Sequence, residues 1–193
     1  MQQDFSVETL PLKGAFRVRH KVFSDHRGMF KRLSCHQSLL DSGVDAQPRQ
    51  VNASLTPKKG TIRGMHFQHE PATETKIVCA MSGSLFDVLI DLRPDSDTYL
   101  QWYGEQLSGE SHSSLIVPPG FAHGFQTTSD NVLMMYLNST DYAPDLESGI
   151  HPLDPSIAVA WPLPVTELSA KDSEHSFIDS TFNGISLGTF EGT

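Results

Sequence analysis

Basic residues are in short supply: 14 lysines and arginines stand against 23 aspartates and glutamates, giving a formal charge of −9. Such a deficit argues against a general binder of nucleic acid or of an anionic membrane, while leaving room for a local basic pocket that holds a phosphorylated small molecule. Cysteine is scarcer still. Cys35 and Cys79 are too few for a disulfide framework, and neither belongs to a CxxC pair. No stretch approaches the roughly 18–20 apolar residues of a membrane span, and the opening MQQDFSVETLPLKG has no apolar core with a basic flank. The expectation is a soluble cytoplasmic protein that binds neither nucleic acid nor membrane. Repeats, low-complexity tracts and interdomain linkers are also missing, so 193 residues with 38% apolar content read as one domain, 1–193, around one core.

Long segments of 3.6-residue period are few. Apolar and polar residues instead alternate over short runs cut by Gly, Pro, Asp and Ser, which predicts an all-β fold. Strands are expected over 15–23, 29–34, 49–56, 60–67, 76–82, 84–92, 100–107, 113–117, 122–127 and 131–138, with a short helix over 35–43. Many short antiparallel strands at roughly 8–12-residue spacing suggest a jelly roll or related double-sheet barrel. Beyond about residue 140, prolines at 144, 152, 155, 162 and 164 mark a loop-rich segment that wraps the barrel.

Two clusters carry chemistry. The first is GTIRGMHFQH at 60–69. Regular alternation puts Ile62, Gly64 and His66 on one face and Thr61, Arg63, Met65 and Phe67 on the other; Arg63 and His66 share a site only if Gly64 marks a bend or bulge or Arg63 reaches around the strand edge. Polar groups withdrawn from water cost roughly 1–3 kcal/mol each unless paired, so the polar residues of this segment are either all paired or in use. The second cluster is VPPGFAHGF at 117–125, where Pro118, Gly120 and His123 fit the PxGxxH pattern of the second histidine motif in cupin barrels. A metal-dependent cupin would draw its ligands from His66, His69, Glu74 and His123, yet His66 and His69, three apart on a strand, point to opposite faces. The competing chemistry is metal-free proton transfer. Lys76, Asp87, Tyr136, Tyr142 and Asp172 join the histidines as a set that can abstract a proton beside a carbonyl, hold the enolate and return a proton. Each also has a bland counterpart: Lys76 and Asp172 as solvated charges, Tyr136 as core.

The order of motifs tips the balance. RGMF, QVNAS, KKGTIRGMHFQ, KIV, GSLFDVLIDLR, VPPGFAHGF, TDYAP, SGI, WP and ELSAKD, spread between Phe16 and Asp179, resemble the dTDP-4-dehydrorhamnose 3,5-epimerases. The resemblance implies a cupin-type jelly roll with a few short peripheral helices, no cofactor and no metal. It also implies a homodimer in which strands of one subunit extend the sheet of the other. The implied reaction is epimerisation of a nucleotide-diphosphate-linked 4-keto sugar at C3, C5 or both, through an enolate, in deoxysugar or surface-polysaccharide synthesis.

Carried over position by position, His66 is the base, Asp172 the carboxylate that orients it, and Tyr142 the acid on the opposite face of the sugar. Lys76 and His123, backed by Asp87, stabilise the enolate at the C4 carbonyl. Arg63 contacts the diphosphate, as does Arg27 from the neighbouring subunit. Gln50 and Asn52 line the nucleotide and sugar region, and Phe30, Arg32, Tyr136 and Lys171 complete the substrate-binding set. The departures are local. Arg32 stands where a glutamate usually holds thymine, Phe67 where tyrosine is commoner, Cys79 where arginine is frequent, and Leu137-Asn138 where a lysine tends to follow the first tyrosine. His151 and Pro152 replace a segment that usually carries tryptophan. Arg32 leaves the nucleotide base open, and the sugar and the number of inverted centres are open with it. A metal-dependent cupin enzyme and a non-catalytic sugar-binding cupin are the alternatives.

Overall fold

The structure is a computed structural model that describes residues 5–188. Residues 1–4 and 189–193, included in the expected domain, lie outside the described residues. In chain order the elements are β1 (Phe5–Thr9), β2 (Phe16–His20), β3 (Val22–Asp25), β4 (Gly28–Lys31), α1 (His36–Leu40), β5 (Gln50–Thr56), β6 (Ile62–Gln68), β7 (Lys76–Ser82), β8 (Ser84–Asp91), β9 (Trp102–Ser108), β10 (Ser113–Val117), β11 (Phe121–Thr127), β12 (Val132–Asn138), β13 (Glu147–Gly149) and α2 (Ala170–Glu174). Two antiparallel sheets result, ordered β1-β2-β10-β7-β12-β5 and β13-β6-β11-β8-β9, with β3 and β4 pairing apart from both. This is the expected all-β, double-sheet jelly roll.

Three layers of apolar packing explain why the central strands read as nearly continuous hydrophobic runs. Between the sheets lie Val78, Ala80, Leu115 and Met134 from one and Leu85, Leu89, Leu107, Phe121 and Phe125 from the other. The intervening residues of the five-stranded sheet, Met65, Phe67, Val88, Ile90 and Ala122, face outward under Ile150, Ile157, Trp161, Ile178 and Phe182 of the C-terminal segment. On the outer face of the six-stranded sheet, Val18, Ile77, Ile116 and Leu137 pack beneath Leu39, Val44 and Ala46. A strand buried on both faces loses the apolar-polar alternation that a half-exposed strand keeps.

The expected strand 15–23 does not survive as one. It breaks at Lys21, because β2 stays in the sheet beside β1 and β10 whereas β3 leaves it to form the β3–β4 hairpin. Local alternation continues through both halves, so only tertiary pairing marks the exit. β1, β13 and α2 also went unanticipated; β13 and α2, at three and five residues, are too short to establish a period. Among the described residues no helix is long and apolar enough to cross a membrane.

Candidate active site

Between the sheets the filling changes along the barrel. Where the apolar core ends, a cleft of about 550 Å³ opens, lined by Gln50, Asn52 and Ser54 of β5, Arg63 and His66 of β6, Lys76 of β7, His123 of β11, Tyr136 and Asn138 of β12, and Tyr142, Glu74 and Glu147. The face assignment made from regular alternation on the 60–67 strand is overturned here. β6 pairs with β11 through His66↔His123 and Arg63↔Phe125, so three steps on β6 span two on β11. One extra residue flips the register, so that Arg63 joins His66 at the cleft while Met65 packs in the outer layer. The backbone folds tightly at Gly64, with φ +118; a Cβ there would lie 2.6 Å from Gly124 Cα and 2.7 Å from the His123 carbonyl oxygen. Glycine is required at this position.

His66 Nε2 lies 2.6 Å from Asp172 Oδ1, across 106 residues of sequence. Asp172 is placed by α2, where its backbone N–H donates to the Ser169 hydroxyl at 3.0 Å in an N-cap, and its second oxygen accepts from the Gly64 N–H at 3.2 Å. Burial alone would push the Asp172 carboxyl up, but the hydrogen bond and charge of His66, with the Gly64 N–H, hold it below the usual range. An ionised carboxylate on Nε2 keeps the ring proton there and leaves Nδ1 as the basic nitrogen.

The second histidine is built differently. His123 Nε2 lies 2.9 Å from Oδ1 of Asp87, a fully buried residue whose Oδ2 has no partner. Burial pushes the Asp87 carboxyl up against the pull of His123. Lys76 Nζ lies 3.2 Å from Glu74 Oε1, and Asn138, opposite Lys76 in the sheet, donates from Nδ2 to Glu74 Oε2 at 2.5 Å. Tyr136, hydrogen-bonded to the Ser54 hydroxyl at 2.9 Å, is pushed up to about 12 by burial. The Arg63 side chain is exposed and makes no hydrogen bond or ion pair among the described residues.

Tyr142 guards the rim. Its phenol donates to Glu147 Oε2 at 2.7 Å, and Lys171 pairs with the same carboxylate. That hydrogen bond is the main reason the phenol is raised above its ordinary value. The Tyr142 backbone N–H donates to Gln50 Oε1 at 3.2 Å, while the Gln68 amide oxygen accepts from the Ala143 N–H at 2.7 Å. Two cleft glutamines thus tie down the loop that carries the tyrosine.

Of the residues singled out from sequence, His66, Lys76, His123, Tyr142, Arg63, Gln50, Asn52 and Tyr136 line one cleft, with Asp172, Asp87 and Lys171 held behind or beside them. Arg27 and Phe30 are not among the lining residues; they sit on the β3–β4 hairpin around a separate depression, and Arg27 pairs with Asp25 at 2.6 Å. Arg32 follows that hairpin and its carbonyl accepts from His20. His69 packs on Phe67 and is absent from the cleft lining, so the cupin-type ligand quartet is not assembled. Glu147 and His175 were missed. Glu147 joins the site only through the three-residue β13, and His175 stands edge-on to His66 with ring centroids 5.9 Å apart; neither has a signal in the local sequence.

Comparison with known proteins agrees with this geometry. The family model for dTDP-4-dehydrorhamnose 3,5-epimerase matches residues 9–180. The chain is 38% identical to the dTDP-4-dehydrorhamnose 3,5-epimerase of Streptomyces griseus over 86% of this chain and 82% of that one. It is 34% identical to the dTDP-4-dehydrorhamnose 3-epimerase of Streptomyces niveus, over 86% and 80%. Among solved structures, the dTDP-6-deoxy-D-glucose-3,5-epimerase of Legionella pneumophila, in complex with dTDP-4-keto-L-rhamnose, superposes with a TM-score of 0.87 at 32% identity, covering 95% of this chain and all of that one. With a histidine–aspartate pair, a second histidine, a lysine and a rim tyrosine gathered in one jelly-roll cleft, this chain belongs to the dTDP-4-dehydrorhamnose 3,5-epimerase family.

Proposed function

We propose that the chain inverts C3 and C5 of a nucleotide-diphosphate-linked 4-keto sugar, with a thymidine nucleotide as the first candidate from its relatives' names. A C–H beside a ketone is acidic only to the extent that the enolate is stabilised, so the site needs a base, a cation at the ketone oxygen and a separate acid. His66 is the base: Asp172 holds the ring proton on Nε2, and Nδ1 takes the proton from carbon. Lys76 and His123 stabilise the enolate oxygen, with Asp87 fixing His123. Tyr142 returns a proton from the other face, because a lone base handing back its own proton would regenerate the starting isomer. The observation that carries this reading is that the His66 ring, backed by Asp172, and the Tyr142 phenol border the same cleft.

Arg63 suits one end of the diphosphate, being an unpaired cation at the cleft. Arg27, Phe30 and Arg32 reach substrate only if the hairpin serves a neighbouring molecule; for that reason we read the enzyme as a homodimer, and from its composition as a cytoplasmic one. A two-stranded hairpin is marginal alone in water, and this one exposes Phe23, Met29 and Phe30. β5 is an unpaired sheet edge with Val51 and Leu55 exposed at 62% and 58%, an arrangement that invites pairing with another chain. Lys171, through Glu147, sets the position of Tyr142.

Incubation with dTDP-, UDP- and GDP-linked 4-keto-6-deoxyglucose in deuterated water tests the proposal. Deuterium at C3 and C5 is expected from the accepted nucleotide, and no incorporation from any of them overturns it.

A further inference from the structure

Beside the base stands a third imidazole that the reaction above does not use. His175 follows α2 directly, and its ring stands at 72° to that of His66. It fills a space left by Gly149, the residue opposite His66 on β13; a Cβ on Gly149 would lie 2.3 Å from His175 Nε2. That nitrogen is buried and has no hydrogen-bond partner. Donor atoms of His66, Asp172 and His175 lie within 4.8 Å of one another.

We propose that His66, Asp172 and His175 form a site for a divalent transition ion of the zinc type, and that this ion switches the enzyme off by taking the base. Two imidazoles and one carboxylate are a donor set used by zinc enzymes, and imidazole selects zinc, cobalt, nickel or copper over magnesium and calcium. Bonds of about 2.0–2.2 Å bring tetrahedral donors roughly 3.3 Å apart, a closure that requires the half-buried His175 side chain to rotate toward His66. Protons balance. At rest the His66 ring proton sits on Nε2 against Asp172, and Nδ1 carries the lone pair. When the ion bonds to Nε2, a freed Asp172 oxygen joins it and the ring proton moves to Nδ1. None is lost, and no lone pair remains to take a proton from carbon.

The inhibitory half of the proposal rests on His66 as base; the binding half does not. Co²⁺ titrated into chelator-treated protein is followed by its visible d–d absorption, with solvent deuterium exchange measured in parallel. One Co²⁺ per chain is expected, with exchange falling in step and restored by EDTA. His175→Phe should bind Co²⁺ at least about tenfold more weakly and keep the metal-free exchange rate; His175→Gln gives the same readout should the first variant not fold. No absorption, or undiminished affinity in the His175 variants, overturns the site, and saturation without loss of exchange overturns the switch. A protein with no exchange activity still reports through the cobalt titration, which separates this proposal from the epimerase reading.

Discussion

Lys76 Nζ lies 3.2 Å from Glu74 Oε1 with both side chains largely withdrawn from water, so the cation assigned to the enolate is already held by an anion in the resting cleft. Asn138 grips the other oxygen of that carboxylate. Glu74 therefore acts on the reaction by placing the ammonium. Glu74→Gln should lower kcat by about 10–100-fold, the usual cost of a misplaced group, while KM changes little. Exchange kinetics on the accepted nucleotide sugar measure both.

Tyr142→Phe separates proton removal from inversion. His66 still abstracts and returns a proton, so deuterium washes into the substrate with retained configuration, while inverted product falls at least about 100-fold. NMR of the recovered sugar distinguishes the two. Because Glu147 is what raises the phenol, Glu147→Gln lowers the tyrosine's titration point. The alkaline limb of the kcat profile then moves to lower pH.

Leu55→Glu places a charge on the exposed edge strand β5. Light scattering behind size-exclusion chromatography should show a monomer, against the dimer proposed for the parent. Nucleotide affinity should fall with it, since Arg27 then has no neighbouring cleft to reach.

His20 is buried between the Arg32 carbonyl, 2.8 Å from Nδ1, and the Ser114 hydroxyl, 2.9 Å from Nε2. Burial lowers its pKa in the folded state. The unfolded chain takes up a proton near the ordinary value of about 6.5, which the folded chain resists until lower pH. This contribution to stability is complete above about 6.5 and is lost as pH falls from there toward the folded value, by up to about 1.4 kcal/mol per unit. Urea unfolding of His20→Gln against the parent, across that range, should show the difference between them shrinking in acid.

Gly64→Ala drives a Cβ into the backbone of Gly124 and His123 and into a φ that alanine disfavours. A loss of about 2–4 kcal/mol is expected from the combined strain and overlap. Thermal unfolding measures it.

Much of the barrel was legible because burial writes itself into short-range pattern. β7, β8, β10, β11 and β12 were found nearly to the residue, since strands covered on both faces read as apolar runs cut by turn residues. His123 was found through the PPG turn before it, whereas His66 and Lys76 took their roles from the order of motifs along the chain. The face of Arg63 stayed open between a bulge at Gly64 and a reach around the strand edge, because a single inserted residue inverts an alternation that otherwise looks regular. Glu147 and His175 were illegible for another reason: Glu147 reaches the cleft from a three-residue strand, and His175 reaches the far side of His66 from the end of a five-residue helix, elements placed by what they pack on and not by their own periodicity. The departure of the β3–β4 hairpin from the sheet belongs to the same class.

The carboxylate that holds the His66 ring arrives from α2, after every strand of the barrel in chain order. A nascent chain released before residue 172 would carry every strand and the rim tyrosine, yet hold an imidazole of unfixed tautomer. The same tail brings Ile178 and Phe182 onto the five-stranded sheet, so the last stretch of chain to be made both seals the barrel and completes its histidine.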